Sequence, residues 1–201
     1  EPRQPAAPAV PVPAQIAVVP VFGTLIARGA GVIAMSGETS YEALSAVIGR
    51  LAANPEVGGI LLDIDSCGGE YAGLPEFAAE LAAAGRQKPI WAIVRPACFS
   101  AAYWIASQAE RILVTPSCEL GSIGVMAVHV DVSASDAQQG YKLTFFNAGD
   151  RKLDGNPHLP INEAFARDVQ AGVERAYGEF VAAVARGRGQ RFGEKAIRAT
   201  E

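Results

Sequence analysis

Two apolar periodicities alternate along this chain. Apolar runs of strand length cover residues 58–65, 89–95 and 111–115. Between them, Leu74, Phe77, Ala78 and Leu81 recur at three- and four-residue spacing and predict a helix over 73–85, and 101–109 reads as a second helix. Strands that are apolar on both faces and alternate with helices predict a parallel sheet with helices on both sides. Upstream, Ile16–Phe22 reads as a strand in which Pro20 calls for an edge position or a bulge. Residues 28–38 are glycine-rich and read as a mobile loop. Thr39-Ser40-Tyr41-Glu42 has the form of a capping box, opening a helix whose Leu44, Val47, Ile48 and Leu51 share one face and which Asn54-Pro55 ends.

Downstream the period changes to two. Met126, Val128, Val130 and Val132 alternate with Ala127, His129 and Asp131, which predicts a strand with one wet face. Residues 161–186 then return to helical spacing, with Ile161, Phe165, Val169, Val173, Tyr177, Phe180 and Val184 as one stripe. Residues 1–14 are a Pro/Ala linker, leaving 15–201 as a single domain whose polar tail, 188–201, reads as cut short.

Composition narrows the class. Of 201 residues, 50% are hydrophobic and 19% charged, enough apolar material for one packed domain. The net charge of −4 and the scattered basic residues exclude a nucleic-acid footprint; Arg186, Arg188 and Arg191 read as a solvated helix end. Cys67, Cys98 and Cys118 form neither a disulfide framework nor a zinc spacing, which favours a reducing compartment and no metal. The uncharged stretch Pro5–Ala27 carries six Pro or Gly residues that a membrane-spanning helix tolerates poorly, and no signal peptide is visible.

Three segments carry candidate chemistry. Ser100, ahead of Ala101-Ala102-Tyr103-Trp104, has an ordinary reading as a helix N-cap. It also has a catalytic one, as a hydroxyl at the C-terminal edge of a parallel sheet beside a helix N-terminus. Gly68 and Gly69, in Asp65-Ser66-Cys67-Gly68-Gly69, read either as a strand-to-helix turn or as backbone N–H donors that can approach a scissile carbonyl. Lys152 reads either as a surface lysine or as a base whose amine burial or a neighbouring cation such as Arg151 would neutralise. Asp150 and Asp154 would oppose that. The rival base is His158, with Asp154 or Asp131 as orienter; His129 reads as a partly exposed surface residue.

Taken together these segments resemble the signal peptide peptidase A family of serine peptidases, of the Clp-protease/crotonase superfold. Within it they are most similar to the phage head-maturation or capsid-assembly branch. The likeness runs from about Ile16 to about Arg188. It rests on Asp65-Ser66-Cys67-Gly68-Gly69, Ser100-Ala101-Ala102-Tyr103, Gly121-Ser122-Ile123-Gly124-Val125 and Gly149-Asp150-Arg151-Lys152, in that order. The resemblance implies an α/β fold with a mostly parallel sheet flanked by helices and a long C-terminal helix. It implies Ser100 as nucleophile, Lys152 as base, and N–H groups of Gly68, Gly69 and Ala101 at the oxyanion, without cofactor. Cys67 stands where the family usually has Pro, which restores freedom to that loop. The resemblance further implies a peptide substrate bound in extended form and a homo-oligomer with shared sites. A phage role places the protein in the bacterial cytoplasm; a host signal peptide peptidase belongs at the inner membrane or periplasm. Two other readings stay open: a crotonase-type acyl-thioester enzyme, and a ring-forming assembly protein without catalysis.

Overall fold

The computed structural model describes residues 15–29, 37–189 and 193–199; the 1–14 linker, the centre of the 28–38 loop and Arg191 lie outside these. Strand β1 (Gln15–Ile26) is followed by β2 (Glu38–Ser40), helix α1 (Tyr41–Ala53), β3 (Val57–Gly69), α2 (Leu74–Gly85), β4 (Ile90–Phe99), α3 (Ala101–Ser107), β5 (Arg111–Val114) and β6 (Glu119–Gly121). The order in the sheet is β2-β1-β3-β4-β5, with β6 on β4 beyond the end of β5, and every pairing is parallel. Three helices follow: α4 (Ser133–Gln138), α5 (Glu163–Gly187) and α6 (Glu194–Arg198).

Pro20 sits on β1 before β2 begins to pair at Thr24, so its missing N–H falls on a stretch bonded on one side only. The α1 cap is one residue later than the sequence suggests. Ser40 Oγ accepts from Ala43 N–H at 3.1 Å, whereas the Thr39 hydroxyl donates to Phe22 O, so Glu42 is not the reciprocal partner of a capping box. Strand β3 is longer than the sequence suggests. It runs through the whole Asp65–Gly69 segment, with Thr24 opposite Gly68 and Leu25 opposite Gly69, so the glycines extend a strand and do not turn into a helix.

The helices cover one face of the sheet, not two. Val19, Val21, Leu25, Leu62, Ile64, Ala92 and Val94 point into one core with Leu44, Ile48, Phe77, Leu81, Trp104 and Ile105, and α5 adds Phe180, Val181 and Val184 over α3. The alternating side chains Val18, Pro20, Phe22, Leu61, Trp91 and Ile93 stay outside that core, and among the described residues no helix packs on them. Both faces of these strands are apolar in sequence, but only one finds a helical partner within the chain. Midway along this second face, Asp63 accepts from Arg95, which neutralises the one deeply placed carboxylate.

The alternating stretch after Gly124 is not a strand of this sheet. Residues 122–132 belong to no element, and Met126 and Val128 are 87% and 76% exposed. Their sequence alternates with strand period, but among the described residues no strand pairs with them. Helix α5 starts as read, with Asn162 Oδ1 accepting from Phe165 N–H at 2.8 Å. Only its second half is buried; Phe165, Val169 and Val173 are partly covered and Ile161 is exposed. The Arg188 end is not simply solvated, since its guanidinium donates to Ser107 O at 3.1 Å and to Ala109 O, tying α5 to the end of α3.

Candidate active site

Ser100 does not behave as a cap. Its hydroxyl accepts nothing from α3, and its backbone holds φ 52° and ψ −123°, a conformation that costs a non-glycine residue of order 1–3 kcal/mol. The turn is pinned from both sides: Ser100 N–H donates to Gly121 O at 2.9 Å, and Trp104 N–H donates to Ser100 O at 3.0 Å. Strand β4 thus delivers Ser100 at a sharp corner, half-buried, with no hydrogen-bond partner for its Oγ among the described residues. Ala101 follows as the first residue of α3, where an N–H has no intrahelical acceptor.

Gly68 is packed against this corner with φ 97°. A side chain there would meet Phe99 O and Ser100 Cβ, each at 2.8 Å, and Ala101 N at 3.1 Å. Its own N–H donates to Ser66 Oγ at 3.1 Å and so faces away from an oxyanion. Glu70 N–H donates to Leu25 O at 2.8 Å. Neighbouring N–H groups of a strand point to opposite sides, so Gly69 N–H turns toward β4 and Ser100.

These groups open onto a cleft of about 570 Å³. Cys67, Gly68, Gly69, Ser100 and Ala101 form one end, and Tyr71, Leu74, Trp104, Val125, Met126 and Phe180 give it an apolar wall. Trp104 stacks on Phe180 with centroids 4.9 Å apart. Tyr71 hydrogen-bonds to Glu179, which with its burial pushes the phenol up to about 12, so it stays protonated. Ser122, given no role by the sequence, lines the same cleft with φ 53°. Its advance sign was its place in the Gly121-Ser122-Ile123-Gly124-Val125 segment of the resemblance.

The cleft contains no histidine, lysine or carboxylate among its described lining residues. Lys152 is exposed on the lobe formed by residues 124–162, in the turn where its N–H donates to Gly149 O, and its ammonium has no partner among the described residues. The structure therefore brings Ser100, Gly68, Gly69 and Ala101 together and leaves Lys152 apart from them within one chain. Arg151 is held by Asp154 and Asp168. His158 pairs with Asp136 at 2.7 Å, not with Asp154 or Asp131, and is likewise absent from the cleft. His129 is partly exposed, as the sequence suggests, but its Nε2 is buried without a partner among the described residues. Lys88 caps α1 through Leu51 O and Asn54 O. Among the described residues no group of three or more His, Cys, Asp or Glu side chains could hold a metal ion, and no helix is long and apolar enough to cross a membrane.

Comparison with known proteins adds a family. The profile of peptidase family S49 matches residues 82–196. The head-tail preconnector protein GP5 of Enterobacteria phage P21 is 39% identical over 170 residues, 85% of this chain and 34% of that protein. The capsid assembly protease C of Escherichia phage lambda is 42% identical over 147 residues, 72% of this chain and 34% of that protein. The chain spans about a third of the length of these two relatives. Among solved structures, an enoyl-CoA hydratase from Polaromonas sp. JS666 superposes with a TM-score of 0.40 over 81% of this chain and 78% of that one, at 10% identity.

Proposed function

The chain belongs to peptidase family S49, and on that premise we propose that it is a serine endopeptidase of phage capsid maturation, working through a Ser100–Lys152 dyad assembled between subunits. The observation that carries this reading is Ser100 itself. A strained, uncapped hydroxyl stands at the mouth of a cleft between a glycine pair and a helix N-terminus. Strain of this kind persists where a nucleophile must be held up to substrate.

The chemistry follows in order. A neutral Lys152 amine takes the Ser100 proton as Oγ attacks the scissile carbonyl. The Gly69 and Ala101 N–H groups receive the oxyanion, and the dipole of α3 adds to them. The lysine returns the proton to the leaving amine, and water then hydrolyses the acyl-enzyme by the same route. Desolvation is what makes the amine a base, and an exposed Lys152 gains it on docking into a neighbour's cleft.

Two features support assembly and an extended substrate. The lobe 124–162 exposes Met126, Val128, Val130, Tyr141 and Phe146, and the second sheet face, half-buried apart from the exposed Val18, has no helix on it among the described residues. No hydrogen bond engages the backbone of residues 122–130 among the described residues, and Gly124–Met126 border the cleft, so a peptide can add there as a strand. That two phage relatives are named a capsid assembly protease and a head-tail preconnector protein supports capsid or scaffold proteins inside an infected bacterium as the substrates.

Fluorophosphonate labelling tests the reading. Ser100 is expected to label, and Ser100→Ala and Lys152→Ala each to lose peptide cleavage with the fold intact. A well-folded protein that neither labels nor cleaves fits a non-catalytic assembly protein instead, the alternative that the baseless cleft of one chain favours.

A further inference from the structure

We propose that Ser66 is a positioning residue for the oxyanion site: its hydroxyl fixes the glycine peptide that presents the Gly69 N–H to the substrate. This rests on the reading of Ser100 as nucleophile given above. Ser66 Oγ donates to Gly23 O at 2.6 Å and accepts from Gly68 N–H at 3.1 Å. Ser66 is 2% exposed, so water does not compete for either bond.

The hydroxyl sits where both neighbouring ladders are irregular. The register of β1 on β3 shifts between Phe22 and Thr24, and that of β3 on β4 shifts between Ile64 and Ser66. The regular pattern of strand hydrogen bonds therefore lapses at the point where the backbone must be aimed most closely. Both glycines that the hydroxyl bridges lie in the left-handed region, at φ 68° and 97°, and have no side chain to hold them. Gly23 is itself wedged against its surroundings, since a Cβ on it would fall 1.8 Å from Gly37 O. Ser66 thus ties the flexible glycine segment to a fixed carbonyl.

The consequence is a choice of donor. With its N–H taken by Ser66, the Gly68 peptide cannot rotate toward the cleft, and the next N–H, that of Gly69, is turned to the Ser100 side. Substrate binding uses the aromatic and aliphatic walls of the cleft, and Ser66 is not among its lining residues. The charge that develops on the carbonyl oxygen uses the aimed N–H. Loss of the hydroxyl is then a loss in kcat, not in KM.

The experiment uses the whole chain with Ser66→Ala, the slightly larger Ser66→Cys, whose thiol hydrogen-bonds only weakly, as a second variant should the first not fold, and Ser66→Thr, which keeps the hydroxyl. Ser66→Ala is expected to lower kcat on a peptide substrate about ten- to a hundredfold, less than outright loss of an oxyanion donor, at unchanged KM. Amide exchange at Gly68 should speed up while exchange in α3 does not. Ser66→Thr restores both. Wild-type kcat in a folded Ser66→Ala, or unchanged Gly68 exchange, overturns the proposal. The exchange measurement needs no turnover: a wild-type protein that cleaves nothing counts against Ser100 as nucleophile, while Gly68 protection still decides the part of Ser66.

Discussion

Gly68 and Ser100 are packed so closely that position 68 has no room for a side chain: a Cβ on Gly68 would lie 2.8 Å from the Cβ of Ser100, and both residues hold positive φ. The contact joins the end of β3 to the corner between β4 and α3, and so sets the distance between the oxyanion segment and the nucleophile. Gly68→Ala must either push the Ser100 corner away or rotate the Gly68 peptide off Ser66. We expect at least about a hundredfold loss of kcat, comparable to losing an oxyanion donor. Strain at φ 97° adds about 1–2 kcal/mol of destabilisation, read as a fall in Tm of several degrees. Wild-type turnover in Gly68→Ala would mean that the segment is not aimed at Ser100 at all.

Ser100→Gly should stabilise the protein while abolishing its chemistry. The hydroxyl caps nothing, so its removal costs the helix no hydrogen bond. Glycine also adopts φ 52° without the penalty that serine carries. Against this stands the larger entropy of glycine in the unfolded chain, so the net gain is about 1 kcal/mol, a rise of about 2–4 °C in Tm. Differential scanning calorimetry of Ser100→Gly beside Ser100→Ala measures it. A fall in Tm for the glycine variant would show that the corner is relaxed, not strained.

The sequence made the order of elements legible because β3, β4 and β5 are short apolar runs separated by helical spacing. It could not tell which face of those strands would be covered. Leu61 and Ile93 are as apolar as Leu62 and Val94, yet only the latter pair enters the core. Residues 126–132 show the converse: their alternation has strand period, but a strand needs a partner, and none pairs with them among the described residues. At the site, the residue types at 68, 69, 100 and 101 were readable as a set. The strain at Ser100 was not, because a cap and a catalytic corner call for the same Ser before the same Ala-Ala run. Nor was the commitment of the Gly68 N–H to Ser66, which depends on a register shift that no local pattern encodes.

Thiol chemistry should distinguish the cysteines sharply. Cys67 is exposed and lines the cleft beside Gly68 and Ser100. Cys98 is fully buried on β4, and that burial, with some help from Cys118, pushes its thiol up to about 12, so almost no thiolate exists at pH 8. N-ethylmaleimide at pH 8 should therefore modify Cys67 first and leave Cys98 intact until the protein is unfolded. The Cys67 adduct fills one end of the cleft and should block fluorophosphonate labelling of Ser100, whereas Cys67→Ala keeps labelling after the same treatment. Peptide mass mapping follows both. Equal rates at Cys67 and Cys98, or unimpaired labelling of the Cys67 adduct, would contradict the geometry.

A dyad shared between subunits has a signature that a dyad within one chain cannot imitate. Ser100→Ala keeps Lys152, and Lys152→Ala keeps Ser100, so neither variant alone holds a complete pair. If Lys152 serves its own Ser100, mixed assemblies contain no active site in any arrangement. If it serves a neighbour across a head-to-tail interface, each junction in a randomly reassembled 1:1 mixture has one chance in two of receiving an intact Ser100. It has, independently, one chance in two of receiving an intact Lys152, so about a quarter of the sites are complete whatever the ring size. Dissociating the two variants, mixing and reassembling them should thus recover about a quarter of wild-type peptide cleavage, and mixing without dissociation should recover little. Activity that stays at background after verified subunit exchange would return Lys152 to its own chain, and would require the Gly149–Lys152 turn, which does not line the cleft, to fold back onto it.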